Sequence, residues 1–136
     1  MAGYVVHQAD VPMRANPART EHYRTTLGKA KAPIDTVVGG WYTLGPGATN
    51  PLDVHTVPEI YFVTAGSALI TLDGETQRIA AGDTVLIPAG VQHQTHNDTD
   101  QPLTMVFLYS PPLPATSTCW RTTMWSGPTM PTGNRR

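Results

Sequence analysis

Glycine and proline recur along this chain as punctuation between short β-rich runs, and no 3.6-residue apolar period persists between them. Thirteen prolines and twelve glycines in that arrangement leave little room for helices and argue for an all-β sandwich or barrel. Strands are expected at Thr36 to Leu44, Glu59 to Thr64, Ser67 to Leu72, Thr76 to Ala80, Thr84 to Ile87, Gln92 to Asn97 and Leu103 to Tyr109. Asp73-Gly74 is the strongest hairpin signal, because a tight primed turn needs positive φ angles that Asp and Gly tolerate. Gly45-Pro46-Gly47, Gly82-Asp83 and Pro88-Ala89-Gly90 mark further turns.

At 136 residues one core is expected. Residues 1–35 are polar and irregular, broken by Pro12 and Pro17, and read as an arm with an edge strand. His7 and His22 within them are expected to be exposed. The barrel should occupy residues 36–110. From Pro111 the composition turns to Pro, Thr, Ser and Gly, as in a tail over residues 111–136. Trp120, Met124, Trp125 and Met130 are bulky for a solvated tail, so part of Cys119 to Met130 is expected to pack on the barrel or on a partner subunit.

Nine Lys and Arg against ten Asp and Glu give a formal charge of -1, with neither sign gathered into a block. A nucleic-acid or membrane-surface partner is therefore not expected. No apolar run approaches the ~20 residues that span a bilayer, and no basic stretch leads into an apolar one near the start. Cys119 is the lone cysteine, which excludes an internal disulfide and a thiolate metal site. A cytoplasmic protein is the expectation.

Residues with ligating side chains gather around Asp53, His55 and Glu59 and again around His93 and His96, each beside a Gly/Pro turn. A period of two puts Glu59 and Tyr61 on one strand face, and Asp53 and His55 share parity in the stretch before it. A carboxylate on an inward face is expensive unless it is paired or holds a cation. Two imidazoles with one or two carboxylates suit Fe(II), Mn(II), Zn(II) or Ni(II). By the same alternation His96 points away from His93. Asn97 reads as a residue that ties down a turn. Trp41, Leu69, Met105, Phe107 and Tyr109 read as core that lines the barrel around a ligand.

Gly47-x5-Asp53-x-His55-x3-Glu59-x6-Gly66 resembles the first motif of the cupin family, and Gly82-x5-Pro88-x-Gly90-x2-His93-x3-Asn97 matches the second at every defined position. The resemblance implies a cupin jelly-roll β-barrel flanked by the irregular N-terminal arm and the Pro/Thr-rich C-terminal tail. It implies one divalent metal ion, with His55, Glu59 and His93 on three of the four ligand positions. Asp53 stands where the family usually has a histidine. It serves as a fourth ligand, as a hydrogen-bond acceptor for a ligand imidazole, or has no part in the metal site. The spacing His55-x3-Glu59-x-Tyr61 also resembles cupin lyases that cleave dimethylsulfoniopropionate, in which the tyrosine serves the chemistry, although those lyases keep both first-motif histidines. The family commonly dimerises through barrel edges, so a homodimer is expected.

Three functions on a small organic molecule follow. The first is an Fe(II) dioxygenase using His55, Glu59 and His93. The second is a non-redox lyase, isomerase or cyclase in which the metal is a Lewis acid and Tyr61 or Asp53 moves a proton. The third is a metabolite-binding module without turnover.

Overall fold

In the computed structural model, which describes residues 3–28 and 32–112, regular structure is extended apart from one 3-10 turn at Gln8–Asp10. The strands are β1 (Arg14–Ala15), β2 (Glu21–Leu27), β3 (Val38–Leu44), β4 (Glu59–Ala65), β5 (Ser67–Leu72), β6 (Glu75–Ala80), β7 (Thr84–Ile87), β8 (His93–His96) and β9 (Leu103–Tyr109). They form a six-stranded sheet in the order β1-β2-β3-β9-β4-β7 and a three-stranded sheet in the order β6-β5-β8. Every strand pairing is antiparallel. Among the described residues no helix is long and apolar enough to cross a membrane.

β5, β7 and β9 have the expected bounds, and the other expected strands begin or end within two residues of them. Asp73 and Gly74 turn the β5–β6 hairpin at φ 45 and 85. Of the segment read as an arm, Glu21–Leu27 form a seven-residue strand with partners on both sides, β1 and β3. His22 lies on that strand half-buried, not exposed, and burial followed by the nearby Arg24 charge lowers its pKa. The expected packing of Cys119 to Met130 lies outside the described residues.

Period two decides what enters the barrel. Tyr42, Leu44, Tyr61, Val63, Met105, Phe107 and Tyr109 from the large sheet meet Ala68, Ile70 and Ile79 from the small one. Each large side chain buried this way stabilises the fold by roughly 1.5–3 kcal/mol. Met105, Phe107 and Tyr109 line the interior as expected, whereas Trp41 and Leu69 do not. They alternate with Tyr42 and Ile70, the inward residues of β3 and β5.

The turn from β4 into β5 is fixed by close approach. Gly66 has φ 82, and a Cβ there would stand 2.3 Å from the Pro102 carbonyl oxygen, whereas Gly74 at φ 85 has open space around it. Gly66→Ala is therefore expected to destabilise the protein by about 3 kcal/mol and Gly74→Ala by about 1 kcal/mol. Urea unfolding checks this, and equal losses would show that the Pro102 contact adds nothing.

Candidate metal centre

Two chain segments assemble the site. The stretch before β4 runs against β8, where the Asp53 and His93 amides each donate to the other's carbonyl at 3.0 and 2.9 Å. That bridge fixes the two residues opposite one another, while the His55 carbonyl accepts from the Gly90 amide at 2.7 Å and holds the intervening loop. Glu59 opens β4 on its inward face, paired with Tyr109 on one side and Ile87 on the other. All four sequence-proposed ligands therefore converge at one end of the barrel.

Donor atoms of Asp53, His55 and His93 lie within 4.8 Å of one another. Glu59 Oε1 stands 3.4 Å from Nε2 of both His55 and His93, and Asp53 Oδ2 stands 3.7 Å from His55 Nε2. The side chains of Glu59, His55 and His93 are 0%, 1% and 4% exposed, and that of Asp53 is 10% exposed. The two imidazoles meet edge to face with centroids 4.8 Å apart.

These distances exceed those of good hydrogen bonds but match the gaps between neighbouring ligands of one cation. Ligands about 2.1 Å from a metal lie about 3.0 Å apart in octahedral and about 3.4 Å apart in tetrahedral geometry. The tautomers agree. His93 Nδ1 lies 3.0 Å from the Val91 carbonyl oxygen, so its N–H is spent there and the Nε2 lone pair faces the Glu59 carboxylate. A lone pair directed at a buried carboxylate repels it unless a proton or a metal cation lies between them. On the far side of the other imidazole, His55 Nδ1 is buried without a hydrogen-bond partner. The donor set therefore fits one divalent ion.

Two hydroxyls complete the surroundings. Tyr61 Oη donates to Glu59 Oε1 at 3.0 Å, as its shared strand face allows. Tyr109 Oη lies 3.3 Å from His55 Nε2, with both groups buried. Tyr109 was read from sequence only as barrel wall. Parity already turned it inward, but its height beside Glu59 follows from the β4–β9 register. His96 is exposed and bonded through Nδ1 to Thr49 Oγ1, away from the site. Asn97 holds the following turn, donating to the Leu44 and Gln101 carbonyls and accepting from Thr99. A second buried carboxylate, Glu21, accepts from Tyr42 Oη elsewhere in the barrel.

Glu59→Gln and His93→Ala are expected to lose metal on dialysis, while Asp53→Asn keeps it with affinity weakened about 10–100-fold. Elemental analysis of the dialysed variants checks this, and stoichiometric metal in Glu59→Gln would remove that carboxylate from the ligand set.

Comparison with known proteins agrees with this geometry. Residues 40–109 match the cupin domain family. The uncharacterised protein SCO3923 of Streptomyces coelicolor is 40% identical over 73 residues, covering 54% of this chain and 69% of that protein. The dimethylsulfoniopropionate lyase DddW of Ruegeria pomeroyi is 38% identical over 74 residues, covering 54% of this chain and 48% of the lyase, about half its length. Among solved structures, the polyketide cyclase RemF of Streptomyces resistomycificus superposes with TM-score 0.71 at 21% identity, over 81% of this chain and 80% of the cyclase. With its two antiparallel sheets, its converging donors and a family match over residues 40–109, the chain belongs to the cupin family.

Proposed function

We propose that this cupin is a metal-dependent enzyme of non-redox acid–base chemistry, eliminating or cyclising a small organic molecule that carries a carboxylate or carbonyl. The observation that carries the reading is the Tyr109 hydroxyl, 3.3 Å from a ligand imidazole in a buried site. A divalent ion held by His55, Glu59, His93 and Asp53, whether Zn(II), Mn(II), Ni(II) or Fe(II), supplies Lewis acidity toward a substrate oxygen.

The protein's own groups divide the remaining work. Asp53 is the most exposed of the four donors, so it marks the side from which substrate enters. Its Oδ1 accepts from the Val54 amide at 2.9 Å, which orients Oδ2 toward His55. Tyr61 Oη donates to Glu59 Oε1, holding the oxygen that faces both imidazoles and making Tyr61 a positioning residue. Tyr109 Oη is then the group that gives or takes the substrate proton. The buried tyrosines and the apolar Phe107 and Ile87 nearby exclude bulk water from that transfer. The relatives lend support: DddW is a lyase and RemF a cyclase.

A dioxygenase is the second reading, favoured by His55, His93 and Glu59, which form a set of two imidazoles and one carboxylate suited to Fe(II). Turnover of dimethylsulfoniopropionate and related β-substituted carboxylates, followed with and without oxygen, separates the two. Acid–base chemistry predicts equal rates anaerobically, a loss of about 10²–10⁴ in kcat for Tyr109→Phe, and for Tyr61→Phe a smaller loss accompanied by weaker metal binding. Stoichiometric iron with oxygen uptake on turnover would move the assignment to the dioxygenase, and ligand binding without turnover would make the barrel a binding module.

A further inference from the structure

The outer face of the large sheet is apolar where a water-facing sheet would carry charge. Across β3, β9, β4 and β7 the register aligns Trp41 with Val106 and Phe62, and Leu108 with Ile60 and Leu86. All six lie on the side opposite the barrel interior, and the remaining outward positions are threonines and Gly39, with no charged residue among them. Antiparallel sheets with one solvated face usually alternate apolar inward and polar outward. Phe62 and Leu86 are 41% and 60% exposed. The N-terminal arm is fastened beside this face, where Arg24 Nη1 donates to the Gln8 and Val11 carbonyls at 3.2 and 2.5 Å. Arg24 pairs with Trp41, so that anchor stands at the β2 margin and Phe62 and Leu86 lie three and four strands farther across.

We infer that this face is the docking surface for the chain's own C-terminal segment, Cys119 to Met130. The chain leaves β9, the second of the four strands, at Tyr109 and is described to Pro112. Residues 113–136 extended would reach roughly 80 Å, several times the width of four strands spaced about 4.8 Å apart. The segment holds Trp120, Met124, Trp125 and Met130 and a single charge, Arg121. It is thus as apolar as the surface it would cover. Tethering raises its effective concentration at the face to the millimolar range, far above that of a second copy at micromolar concentration. Area points the same way. Two rows of side chains over four strands cover about 300 Å² per copy, so two faces together would bury about half the 1,200 Å² of a small specific dimer.

Cys119 is the chain's only cysteine and lies in the docking segment, so its reaction with a disulfide reagent in the full-length protein reads docking directly. Wild type is expected to react at least tenfold more slowly than the double variant Phe62→Glu/Leu86→Glu, at a rate independent of protein concentration. The variant Trp120→Ala/Trp125→Ala, which leaves the barrel untouched, is expected to accelerate the reaction equally. Equal rates in wild type and the face variant would overturn the inference, as would acceleration by only one of the two variants. Protection that grows with protein concentration would also overturn it, by assigning the cover to a second copy.

Discussion

A fully buried carboxylate is the constraint on which the site end of this barrel depends. Glu59 has no exposed side-chain surface, and leaving its charge uncompensated there would oppose folding by several kcal/mol. Two imidazole Nε2 atoms at 3.4 Å and the Tyr61 hydroxyl at 3.0 Å surround it, and a cation held among them would make that burial tolerable. Since Glu59 sits at the start of β4, between Ile87 and Tyr109, the electrostatics and the strand order specify each other. A slip of one residue in β4 would turn Glu59 and Tyr61 outward and leave the two imidazoles facing an apolar wall.

Elsewhere the interior is ordinary core with further polar exceptions, the buried Glu21 with its Tyr42 partner and the buried Asn50, Thr95 and Asn97. The polar groups of the interior are thus set in local clusters, while tyrosine, phenylalanine and aliphatic side chains fill the space between. Polar groups buried inside and apolar groups left outside on the large sheet are the two departures from the usual pattern.

Period two and the two glycine-bounded motifs made most of this legible. They pointed to Asp53, His55, Glu59 and His93, whose side chains lie near one another, turned His96 away, and set three strands at their observed bounds. Alternation tells inward from outward but does not report height along the barrel. For that reason Tyr109 was readable as interior and not as a neighbour of His55, a relation that needs the pairing Glu59 with Tyr109. Trp41 and Leu69 failed differently, since hydrophobicity alone assigned them to the core against the parity of Tyr42 and Ile70. The first 35 residues concealed β2 because its alternation of Glu21 and Tyr23 with His22 and Arg24 presents a charged residue at an inward position. The Tyr42 hydroxyl, distant in sequence, helps to make that acceptable.

The backbone bridge between Asp53 and His93 has a further role. β8 is the last strand of the small sheet, so one of its sides has no strand partner. Thr49 and Asp53 bridge to His96 and His93 along that side, and the Asn50 amide donates to the Thr95 carbonyl between them. The loop that carries Thr49, Asn50 and Asp53 therefore hems an open β edge of the kind through which chains add to one another. A cation joining Asp53 and His55 to His93 would pin this hem, making metal loading a safeguard against aggregation as well as a condition for chemistry.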